Sequence, residues 1–150
     1  MRTSLTLLLF ALALVPGSLR AECRPAEATQ RVRVSFEPPT GTRVAGLVVV
    51  VSYPADKLVI AGQGTEAGRA AVSGTPPGTV TASEDRDGEL RQVIGQAKAL
   101  ADGPLFDVTF HRCDGAGAPA PGEVSCRVVD ASDPMSTKVG DVRCSVATAS

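Results

Sequence analysis

Between Arg31 and Phe36 the side chains change character at every step. In an extended strand Val32, Val34 and Phe36 would share one face and Arg31, Arg33 and Ser35 the other. The same alternation returns over Leu105–His111, with Phe106, Val108 and Phe110 as the inward set. Val124, Cys126 and Val128 share a face, as do Val142, Cys144 and Val146, which directs two cysteines inward. Such segments recur at a spacing of roughly ten residues, and turn residues separate them. Pro38-Pro39-Thr40-Gly41, Gly74-Thr75-Pro76-Pro77-Gly78 and Asp87-Gly88 are the clearest breaks. This rhythm predicts a sandwich or barrel of short strands.

Four further strands are expected at 44–53, 57–60, 69–73 and 79–83. In the first, Leu47 to Val51 is apolar on both faces, as in a strand that is covered twice or lends its outer face to a contact. The segment after Asp87-Gly88 reads two ways. Leu90, Val93, Ile94, Ala97, Leu100 and Ala101 fit helical spacing, and Ala, Gln, Leu and Lys favour helix. No internal repeat and no interdomain linker interrupts the chain.

The amino terminus has a different character. Arg2 precedes an apolar run from Leu5 to Val15, broken only by Thr6, and Ser18-Leu19-Arg20-Ala21 leads into Glu22. This is the layout of a secretory signal peptide. The run is short of the roughly 20 residues that span a bilayer, so stable membrane insertion is not expected. Cleavage after Ala21 would leave residues 22–150 as one domain. Glu22 stands before Cys23 where a lipidation signal would want a small residue. Removing residues 1–21 takes away two arginines and no acid, leaving 13 basic against 16 acidic residues and a net charge of −3. A nucleic-acid partner, which needs a basic face, is not expected.

All four cysteines, Cys23, Cys113, Cys126 and Cys144, fall after residue 21. An even count in an exported chain reads as two disulfides, whose pairing the spacing leaves open. A metal site is not expected, because there is no C-x-x-C pair and a single histidine, His111. His111 alternates to the outward side, and no nucleophile-elbow motif accompanies it. Glu84-Asp85-Arg86-Asp87-Gly88-Glu89 gathers four acids, but Arg86 sits among them and the spacing is not that of a calcium loop. A hydrolase would have to rest on an acid such as Asp85 or Asp107, and nothing marks a catalytic pair. No cofactor is implied and no catalytic residue is assigned. Sugar platforms stack on exposed aromatic rings. After residue 21 the chain has no Trp, one Tyr (Tyr53) and three Phe (Phe36, Phe106 and Phe110). The phenylalanines alternate inward and Tyr53 falls at a turn, so a stacking platform is not expected.

Val44-Ala45-Gly46-Leu47-Val48-Val49-Val50-Val51-Ser52-Tyr53-Pro54-Ala55-Asp56-Lys57-Leu58 resembles the second and third strands of cohesin modules. There a hydrophobic strand ends in a Tyr-Asp-Pro-x-x-Leu-like turn. Asp87-Gly88-Glu89-Leu90-Arg91, followed by Asp102-Gly103-Pro104-Leu105-Phe106-Asp107-Val108-Thr109-Phe110, is similar to the family's later pair of strands. The resemblance spans most of residues 30–147. It implies an all-β, nine-stranded jelly-roll sandwich, and it assigns 89–97 to strand against the local helical pattern. Tyr53 is followed directly by Pro54, without the family's usual Asp, and the cysteines are not a feature of the cellulosomal members.

The resemblance implies that Cys126 and Cys144 lie inward on strands of opposite sheets and pair, leaving Cys23 with Cys113. Cys113–Cys126 with Cys23–Cys144 is the rival. It also implies a binding or structural role, with one sheet face gripping a protein partner. Val48 and Val50 would form an exposed apolar stripe on that face if Leu47, Val49 and Val51 face the core. The alternative is a carbohydrate-binding module with a polysaccharide partner, since some such modules share the fold.

Overall fold

The computed structural model describes residues 22–62, 64–86 and 88–149, so the expected leader at 1–21 lies outside the described residues. The alternating segment becomes the middle of a long strand, β1 (Pro25–Glu37), with Val32, Val34 and Phe36 buried. β1 begins six residues before the alternation, because residues 25–30 pair with a neighbour without burying an apolar face. β2 (Gly46–Ser52) and β3 (Leu58–Val59) follow, then a helix, α1 (Gly64–Ala71), and β4 (Val72–Ser73). The remaining strands are β5 (Val80–Arg86), β6 (Glu89–Gly95), β7 (Gly103–Cys113), β8 (Ser125–Ser132) and β9 (Arg143–Thr148).

Among the described residues nine strands make two antiparallel sheets. One runs β3-β7-β1-β9, with β4 also paired to β7, and the other runs β5-β6-β2-β8. The segment with two readings is strand β6. Leu90, Gln92 and Ile94 turn inward, and Glu89, Arg91 and Val93 turn outward. Pairing with β2 on one side and β5 on the other overrides its helical spacing.

The one helix among the described residues lies where a strand was expected, so the reading of 69–73 is corrected. Arg69 to Ala71 belong to α1, and only Val72 and Ser73 are extended. Ala67 and Ala71, one turn apart, enter the core, and Gly68 is buried between them. A Cβ at Gly68 would come within 3.1 Å of the Ser83 Cβ and 3.3 Å of a Leu90 methyl group. Glycine there lets the helix press onto β5, and packing rather than length holds so short a helix.

The core lies between the sheets. Phe106, Phe110, Leu47, Leu58, Ile60 and Leu90 are among its fully buried side chains. The Tyr53 and Phe110 rings meet at a centroid distance of 4.9 Å, inclined by 51°. Gln92 is fully buried, and its side-chain carbonyl accepts a hydrogen bond from the Ser83 hydroxyl. That contact satisfies a polar group whose burial alone would be costly.

Two disulfides complete the frame. Cys126 on β8 and Cys144 on β9 are bonded with a Cα separation of 6.0 Å, and Cys23 is bonded to Cys113 at 5.0 Å. The rival pairing does not occur. The first bridge crosses from one sheet to the other along the β8–β9 side, and α1 packs on β5 at the opposite side. The second ties the chain ahead of β1 to the end of β7.

Candidate binding face

Register decides what the outer face of the β5-β6-β2-β8 sheet presents. Val48 pairs with Val93 on β6 and with Asp130 on β8. Val93 pairs in turn with Ala82 on β5. Side chains directly across from one another on one face are neighbours. Ala82, Val93 and Val48 therefore form a row across three strands. Between Val48 and Val49 the β8 pairing shifts, and Val129 is the extra residue of that bulge. Val80 stands one row along, opposite Gly95.

Of the four large apolar side chains that remain exposed among the described residues, three belong to this sheet: Val80 at 79%, Val93 at 39% and Val129 at 43%. The next row holds Glu84, Arg91, Val50 and Arg127, and the row beyond it Arg86, Glu89, Ser52 and Ser125. The face is thus divided into an apolar band and a charged half.

The stripe expected at Val48 and Val50 needs correcting. Both side chains point away from the core that Leu47, Val49 and Val51 enter. Val50, however, is only 4% exposed, and Val48 is half-buried. Val50 lies in register between Arg91 and Arg127, long side chains whose aliphatic stems can shield a neighbour from water. The exposed apolar surface lies one row away, on residues that the sequence reading passed over. The available signal was parity: once Leu90, Gln92 and Ile94 face inward, Val93 must face out.

The acidic turn does not converge. Glu84 is held by Arg86 at 2.8 Å and Glu89 by Arg127 at 3.1 Å, while Asp85 accepts a hydrogen bond from the Tyr53 hydroxyl at 2.6 Å. Asp87 lies outside the described residues. No group of three or more potential metal ligands forms among the described residues. Phe36, Tyr53, Phe106 and Phe110 are all buried, so no ring among the described residues is presented for sugar stacking. His111 Nδ1 donates to the Ala26 carbonyl at 3.0 Å, which fixes the ring against β1.

Asp107 lies on the outer face of the other sheet and does not face Asp85 across a cleft. Its carboxylate accepts two bonds from the Arg33 fork, at 2.9 and 3.1 Å. Those bonds hold its pKa below the ordinary carboxylate value, against an opposing push from partial burial. The folded pKa is the lower one. The pair therefore stabilises fully above the unfolded value of about 3.9 and loses that contribution as pH falls through the folded one. Urea midpoints are expected to drop below about pH 4, and Asp107→Asn is expected to flatten this acid limb. An unchanged acid limb in the variant would remove the assignment.

No protein-family model matches the sequence, and a comparison with curated proteins gives no match. Among solved structures, the chain matches one from the crystal structure of a CaDoc0917–CaCohA2 complex, a cohesin–dockerin pair. The TM-score is 0.52 at 17% identity, over 76% of this chain and 83% of that one. The fold is cohesin-like. This agrees with the resemblance carried by residues 44–58 and 87–110, and with the nine strands in two sheets. The cohesin-like fold brings together residues from four strands on one open sheet face.

Proposed function

We propose that this chain is an exported, non-catalytic module that binds a protein partner through the outer face of the β5-β6-β2-β8 sheet. The observation that carries the reading is the gathering of Val80, Val93 and Val129 on that face, since contiguous exposed apolar surface marks protein contacts. The similar structure is that of a protein held in a protein–protein complex, which supports the same role here. Export rests on the leader read at residues 1–21. Two disulfides and the cohesin-like fold suit an extracellular setting.

A photo-crosslinker installed at position 93 of the folded chain tests the reading in the culture medium of the source cells. A discrete protein adduct is expected, and Val93→Asp is expected to abolish partner capture while leaving the circular dichroism spectrum unchanged. Robust retention on insoluble polysaccharide without any protein adduct would overturn it.

A further inference from the structure

On the binding face every carboxylate already has a cation. Glu84 is bonded to Arg86, Glu89 to Arg127, and Asp130 lies 3.9 Å from Lys138. Among the cations of this face Arg91 is the exception: it is exposed on β6 and makes no ion pair among the described residues. Its register neighbours are Glu84, already engaged by Arg86, and the covered Val50. Arg91 stands two residues from Val93 on the same face, about 7 Å along the strand. An exposed guanidinium with no ion-pair partner among the described residues thus borders the apolar band at the middle of the sheet.

A second feature lies on the other side of the band. Gly95 and Gly46 are paired in register, between Val80 on β5 and Ser132 on β8. A Cβ at Gly95 would meet nothing nearer than the Ala45 carbonyl at 4.0 Å. The fold does not require glycine there, although glycine weakens a strand interior; such positions allow close approach by another molecule.

We infer that the partner presents an apolar stripe flanked by a carboxylate, the stripe lying on the Val48–Val93 band and the carboxylate meeting Arg91. The inference rests on the proposed binding face and adds the partner's charge. A guanidinium flanking an apolar contact selects for a planar acid, through two parallel hydrogen bonds. Complementary charge of this kind sets specificity and association rate.

The test uses two synthetic amphipathic peptides of about 18 residues, identical in their leucine stripe. One carries glutamates beside the stripe and the other lysines. Binding to the folded chain is read by fluorescence anisotropy at low salt. The glutamate peptide is expected to bind about tenfold more tightly, with the preference lost in Arg91→Gln and inverted in Arg91→Glu. Equal binding of both peptides, or a preference that survives Arg91→Gln, overturns the charge assignment. If Val93→Asp still abolishes binding in that case, the face itself stands. Binding that Val93→Asp leaves intact overturns the face as well, and failure of both peptides to bind overturns the inference.

Discussion

Removing the Cys23–Cys113 bridge is expected to cost more stability than removing Cys126–Cys144. The bridges span 90 and 18 residues. Cross-linking limits the unfolded chain more as the closed loop grows, which gives about 4.5 kcal/mol for the longer loop and about 3 kcal/mol for the shorter. Domains of this size are stable by only about 5–15 kcal/mol. Cys23→Ser/Cys113→Ser should therefore be the less stable of the two double variants, by about 1.5 kcal/mol. Urea unfolding of both double variants beside the parent, without reductant, checks the order. The reverse order would mean that closure of the β8–β9 side, rather than loop entropy, dominates.

Phe110→Ala is expected to lose about 3–5 kcal/mol, because the vacated volume lies where the two sheets meet and cannot collapse fully. The side chain is fully buried and stacks against Tyr53, whose hydroxyl in turn holds Asp85 near the start of the β5–β6 turn. The loss should be thermodynamic rather than functional. Phe110 points into the core from the sheet opposite the binding face. Calorimetry should show a melting temperature lowered by about ten degrees or more, at about 4 °C per kcal/mol for a domain of intermediate size. At low temperature, where the variant is folded, partner affinity should be unchanged. A selective loss of affinity there would tie the binding face to the packing beneath it.

These expectations rest on parts of the molecule that differ in how plainly the chain announces them. β1 and β7 were legible because polar side chains alternate with the inward set, so the period of two is written in Val32, Val34 and Phe36 against Arg31, Arg33 and Ser35, and again in Phe106, Val108 and Phe110 against Asp107, Thr109 and His111. β6 was not legible locally. Val93 is apolar on the solvent side, and this places it beside Ile94 in a pattern that mimics a helix. The actual helix escaped because Thr65 to Ala71 contains no large apolar residue. Its fit depends on the missing side chain of Gly68 and on the position of β5, which only the assembled sheets define.

The face was half legible for a similar reason. Alternation says which way Val48 and Val50 point, but it does not say that two arginines from other strands flank Val50 in register. Val80 and Val93 lie on the two arms of one hairpin, and Val129 lies more than thirty residues further along the chain. Only the pairing of β5 with β6, of β6 with β2 and of β2 with β8 makes them neighbours.

The different closures of the two sides of the sandwich bear on how the protein behaves in concentrated solution. A free outer strand is a template on which another chain can polymerise through its backbone. Here α1 lies against β5, and β8 is bridged to β9 and distorted by the bulge at Val129. Neither border of the four-stranded sheet is left straight and bare. The contact surface proposed above is instead made of side chains, which a single seated partner would saturate. On the proposed reading, this sheet offers a partner its side chains and offers a second copy no bare backbone border.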